Sequence, residues 1–109
     1  MGNVYKTLAQ VNPSAASLTD AYTVPGATST VVSSVVVANR SASATSFRVS
    51  VAVGGAADDP KQYVAYDTVI PGNDVVALSL GMTLATTDKV RVYATLATLS
   101  FTLFGEEIS

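Results

Sequence analysis

Along residues 47–53, Phe47, Val49, Val51 and Val53 alternate with Arg48, Ser50 and Ala52. A period of two puts the large apolar side chains on one side of an extended backbone, the pattern of a half-buried strand. Val90, Val92 and Ala94 alternate with Arg91, Tyr93 and Thr95 in the same way, and Leu99, Phe101 and Leu103 with Ser100 and Thr102. Phe104 breaks that last series, being apolar where a polar residue is due. No stretch carries the i, i+3, i+4, i+7 stripe of an amphipathic helix.

Proline and glycine divide the rest. Pro25-Gly26 closes a strand at Asp20–Val24, because proline has no N–H for a ladder and glycine reaches positive φ cheaply. In Ser29–Asn39 the valines at 31, 32, 35, 36 and 37 make a nearly unbroken apolar run. Such a run predicts a central strand covered on both faces, or one bent between two sheets. Ser41–Ser46 reads as a polar turn and Gly54–Pro60 as an exposed loop. Lys61–Ile70 is another strand, ended by the turn Pro71-Gly72-Asn73-Asp74. Asp74–Leu80, Met82–Ala85, Lys89–Leu96 and Leu99–Gly105 complete the series, with a turn at Thr86-Thr87-Asp88. At the front, Val4–Gln10 reads equally as an edge strand or as an arm reaching a neighbouring subunit, followed by a loop at Asn12–Ser17. Eight or nine short strands at spacings of about 8–12 residues predict an all-β fold. The expected architecture is a single antiparallel β-sandwich, or a jelly-roll-like barrel, over residues 1–109, with 1–19 as the arm or edge strand.

Composition agrees. Valine and threonine, 17 and 13 of the 109 residues, outnumber Leu, Met, Glu, Lys and Arg together. Branching at Cβ suits the pleated strand and restricts χ1 in a helix. With no Cys and no His, the chain has no imidazole base, no thiolate nucleophile and no metal site built on either. No Gly-x-Ser-x-Gly elbow or Ser-x-x-Lys pair activates a serine. The carboxylate pairs Asp58-Asp59 and Glu106-Glu107 lie in a loop and at the tail, where they read as solvated and not as an acid–base pair. Calcium would find oxygen ligands at Asp58, Asp59, Asn73, Asp74 and Asp88, but no fixed spacing joins them, and they read as turn residues. The expectation is a protein that is not an enzyme, with no cofactor and no metal. Six scattered basic residues give no nucleic-acid footprint, and no run approaches a membrane span. Met1–Lys6 lacks the pattern of a signal peptide, so synthesis in the cytosol without general secretion is expected.

Strand phase decides whether four of the tyrosines can serve as binding groups. Tyr63 and Tyr66, three apart, fall on opposite faces of a regular strand and cannot meet one ligand. Tyr22, Tyr63 and Tyr66 read as core side chains with a hydroxyl at the surface. Tyr93 shares an outward face with Arg91, a pairing favoured at interfaces. Charged residues are only 13% of the chain, below the roughly 25–35% that keeps small domains apart. Outward strand positions carry Ser, Thr and Ala, which desolvate cheaply and suit permanent subunit contacts. A soluble monomer with a bland surface is the competing expectation. The contact residues expected are Asn3, Val4, Tyr5, Lys6 and Leu8 in the first stretch, Asp58 and Asp59 in the loop, and Arg91 with Tyr93.

The order of motifs carries a resemblance. Tyr22-Thr23-Val24-Pro25 leads into Ser29–Val37 and Asn39-Arg40, then Thr45–Val49, Tyr63–Asp67 and Ile70–Asp74. Leu80–Leu84, Asp88–Val92 and Phe101-Thr102-Leu103-Phe104-Gly105-Glu106-Glu107-Ile108 follow. Over residues 3–108 this resembles small virion structural proteins of tailed bacteriophages. A single Gly26 after Pro25, where such proteins often have one more residue, is a departure that tightens that turn. The resemblance implies a non-enzymatic β-sandwich made in the host cytoplasm and located in the virion. Its implied role is capsid cement (decoration), or a neck or tail component. It also implies a homo-oligomer, with homotrimers common among such proteins, bound to the major capsid protein or to neck or tail proteins. The alternative expectation is a carbohydrate-binding module on a tail appendage, with Tyr22 and Asp67 brought together by folding.

Overall fold

The computed structural model describes residues 2–109. Nine strands run in order: β1 (Asn3–Val11), β2 (Thr19–Thr23), β3 (Ser29–Asn39), β4 (Thr45–Ala52), β5 (Tyr63–Ile70), β6 (Val75–Leu78), β7 (Met82–Leu84), β8 (Lys89–Ala94) and β9 (Leu99–Ile108). Two antiparallel sheets form from them. The five-stranded sheet has the order β1-β9-β3-β6, with β7 also paired to β3, and the four-stranded sheet has the order β2-β8-β4-β5. The predicted β-sandwich is the observed fold.

The core lies between the sheets and is filled by the period-two positions. Val32, Val35, Val37, Leu99, Phe101 and Leu103 come from the five-stranded sheet; Phe47, Val49, Val90, Val92 and Ala94 come from the other. Phe47 and Phe101 meet edge to face across the layers, with ring centroids 6.0 Å apart.

The first stretch is an edge strand of its own sheet. β1 pairs with β9 from Asn3↔Ile108 to Val11↔Phe101, and the backbones of Gly2 and Ser109 exchange two hydrogen bonds of 2.8 and 3.1 Å. The valine run in β3 is neither covered on both faces nor bent between sheets. A bulge between Val32 and Ser34 resets its phase, so Val32, Val35 and Val37 all point inward and are fully buried while Val31 and Val36 stay half-exposed. A bulge adds one residue to one strand, and this flips the face of everything beyond it.

β9 runs to Ile108, past the expected end at Gly105, by a related device. Bulges at Leu8 in β1 and at Ser33 in β3 lie close to Gly105 on either side. A Cβ on Gly105 would sit 2.0 Å from the Val31 carbonyl oxygen and 2.9 Å from Leu8 Cδ1. Only glycine lets the three strands close around that point.

The Gly54–Pro60 segment is exposed, as expected, but it also roofs the four-stranded sheet. Short 3-10 turns at Val53–Gly55 and Pro60–Gln62 fold it back, and beneath it Ser50 and Ala52 are fully buried although they face away from the core. Asp88 is likewise more than a turn residue. It is buried, and its carboxylate accepts from the Gly54 and Ala85 amides at 2.8 and 3.0 Å. At one end of the sandwich, buried Asn39 donates to the carbonyls of Ser43 and Pro71 and accepts from the Ser41 amide, holding two turns together.

Candidate functional site

The two sheets treat their outer surfaces differently. On the five-stranded sheet the ladder places Tyr5, Thr7 and Gln10 beside Glu106, Phe104 and Thr102, and these beside Val31, Ser34 and Val36. Val75, Ala77 and Thr83 continue the face on β6 and β7. Glu106 is the one charged residue among these outward positions. Tyr5 is 79% exposed and Phe104 39%, and together with Val31 and Gly105 they line a shallow groove of ≈ 500 Å³.

The outer face of the four-stranded sheet is charged and aromatic. Asp20 on β2 accepts from Lys89 Nζ and Arg91 Nε, both at 2.9 Å, and these bonds, Lys89 first, hold its carboxyl below the usual range. Arg91 also donates to the carbonyls of Ala56 and Gly55 at 2.7 and 3.2 Å. Its guanidinium is therefore committed to tying the roof segment down. Further along, Arg48 Nε donates to Asp67 at 2.6 Å, a bond that raises the affinity of the guanidinium for its proton. The same guanidinium lies 4.1 Å from the centre of the Tyr66 ring and 4.4 Å from that of Tyr93, within cation–π range.

Tyr63 and Tyr66 are not on opposite faces. Their rings meet edge to face at 5.0 Å and 88°. Relative to β4, β5 carries extra residues at two places, between the pairs Phe47↔Thr68 and Val49↔Ala65 and again before Ser50↔Tyr63. Asp67 takes up part of the excess with a φ of 49°. The phase therefore slips between the two tyrosines, and both turn outward. Tyr66, expected in the core, is 57% exposed. The Tyr63 hydroxyl donates to Asp58 at 2.8 Å; burial first, and then that carboxylate, makes the phenol harder to ionise. Arg48, Asp58, Pro60, Tyr63 and Tyr66 line a cleft of ≈ 500 Å³.

Tyr22 and Asp67 do not come together, because β2 and β5 are opposite edges of the sheet. Tyr22 is a core side chain whose hydroxyl lies 2.9 Å from Thr30 Oγ1 and donates to Glu107 at 2.5 Å. Burial, and then Glu107, push the phenol up to about 12. Glu107, expected in solvent, points into this end of the sandwich with 18% of its side chain exposed and also binds Lys6. Tyr22, and then Lys6, lower its carboxyl.

Of the expected contact residues, Asn3 and Tyr5 share the outer face of the five-stranded sheet with Phe104 and Glu106, whereas Lys6 turns to Glu107 and Leu8 packs on the core. Val4 is 55% exposed. Asp58 joins the tyrosine cleft, and Asp59 caps the second short turn through the Lys61 amide at 3.1 Å. Tyr93 lies under Arg48. Among the described residues, no group of three or more acidic side chains converges where a cation could sit. Scanned against protein-family models and curated proteins, the chain matches none.

Proposed function

We propose that this chain is a non-enzymatic structural protein of a tailed-phage virion, acting as capsid cement or as a neck or tail component. It associates with copies of itself and with neighbouring capsid or tail subunits through the outer face of its five-stranded sheet. The observation that carries this reading is the make-up of that face, with small uncharged residues, the exposed rings of Tyr5 and Phe104, Glu106 as the one charge at its outward ladder positions, and Lys6 beside the groove. Such a surface gives up water at little penalty and gains about 25 cal/mol for each Å² of apolar area covered. The order of sequence motifs from Tyr22 to Ile108 supports the phage assignment by resemblance.

The test pairs solution size with location. Wild-type protein is expected to sediment as an oligomer and to occupy regular positions in an electron-microscopy map of the particle. A T102E/F104E variant, which sets like charges on that face, should keep a cooperative melt and associate at least 100-fold more weakly. Wild-type protein that stays monomeric at high concentration and leaves the particle unlabelled overturns the reading.

A further inference from the structure

The two irregularities of β5 set small Ala65 opposite Val49 at the core and leave the larger Tyr63 and Tyr66 outside the buried cluster. Bulges re-aim side chains and are over-represented at sheet edges, where β5 lies, and next to active sites. A non-glycine residue at positive φ, such as Asp67, stores strain that regular pairing would have avoided. What these departures build is a corner: two aromatic walls at 88°, Pro60 as a third apolar side, and polar groups at the rim. Asp58 Oδ1 takes the Tyr63 hydroxyl, and Oδ2 has no hydrogen bond among the described residues. Arg48 uses Nε on Asp67, and its Nη groups likewise donate no hydrogen bond among the described residues.

We propose that this cleft binds a neutral saccharide. One pyranose ring sits with its C–H face against the tyrosines while its hydroxyls donate to Asp58 and accept from the Arg48 Nη groups. A sugar ring needs this combination of an apolar wall and a few fixed polar groups of both kinds. The local charge speaks against phosphates or nucleic acid, because one guanidinium faces two carboxylates, Asp58 and Asp67. The perpendicular rings speak against a proline-rich peptide, which lies along an open aromatic groove. The cleft is on the four-stranded sheet, so this proposal stands or falls separately from assembly through the five-stranded one.

The test uses the full chain. A glycan array selects among sugars, and amide NMR titration with methyl glycosides of glucose, galactose, mannose and N-acetylglucosamine locates the binding. At least one neutral sugar should bind and shift the amides of Arg48 and of residues 63–67. Tyr66→Ala, at an exposed position, should leave the melting temperature in place and weaken binding at least 10-fold. Tyr63→Phe keeps the ring, frees Asp58 and should weaken binding a few-fold, while Thr23→Ala, exposed on β2 at the opposite edge of the sheet, should change nothing. No binding by any neutral glycan overturns the proposal. So does binding confined to sulfated or sialylated glycans or to a proline-rich decapeptide, or an undiminished response in Tyr66→Ala.

Discussion

The two outer faces of this sandwich start from the same kind of backbone and end as opposites. On the four-stranded sheet, Asp20, Lys89, Arg91, Arg48 and Asp67 pair with one another and a segment of the same chain roofs the strands. On the five-stranded sheet, Glu106 is the lone charge among the outward positions, and Tyr5 and Phe104 stand in solvent. One surface pairs most of its charges within the molecule; the other leaves aromatic rings exposed with few charges around them. A low overall charge therefore does not mean an evenly bland exterior, because three of the six basic residues are gathered on one side.

Substitutions can break or sharpen this contrast. The largest effect is expected at Gly105, where the bulges of the five-stranded sheet meet. Gly105→Ala should destabilise the fold by about 2–4 kcal/mol, because backbone and not a flexible side chain blocks the new Cβ. Thermal denaturation should show the midpoint falling by roughly 10–20 °C.

Next in size is Tyr22→Phe, which removes the hydroxyl joining β2 of one sheet to β3 and β9 of the other. A loss of about 1–2 kcal/mol is expected in urea titrations, since one partner is ionised. Tyr22 also gives an alkaline signature. Its phenol ionises near 10.0 when unfolded and at about 12 when folded. Between these values the unfolded chain has released the proton and the folded one still holds it, so rising pH favours unfolding. The contribution is complete below pH 10.0 and is lost as pH climbs towards about 12. A phenylalanine variant should lack that part of the slope.

The smallest effect belongs to the charged face. Asp20→Asn breaks two ion pairs, yet Asp20 is half-exposed, and the expected change is at most about 1 kcal/mol, shrinking further in high salt. A loss of several kcal/mol in the same urea titrations would mean that this face depends on tight packing and not on solvent-screened pairing.

Most of the fold was legible because strand alternation is a local property. Val90–Ala94 and Leu99–Leu103 announce their inward faces within five residues each, and the structure buries those positions. The aromatic cleft was not legible, because its existence depends on phase slips in β5 that no glycine or proline inside Tyr63–Ile70 signals. Glu107 was missed for a related reason. A tail carboxylate reads as solvated, but its place opposite Thr30 and beside Tyr22 follows from a register shift in another strand. The Phe104–Gly105 step was the available hint, since an apolar residue out of phase beside a glycine marks a break in a regular ladder.

The paired backbones of Gly2 and Ser109 have a mechanical meaning. β1 and β9 are neighbours running in opposite directions, so tension applied through both ends would peel them apart one rung at a time, like a zipper. The pairing is thus weak to a tug on its two tips, and anything appended to either tip would leave from the same spot.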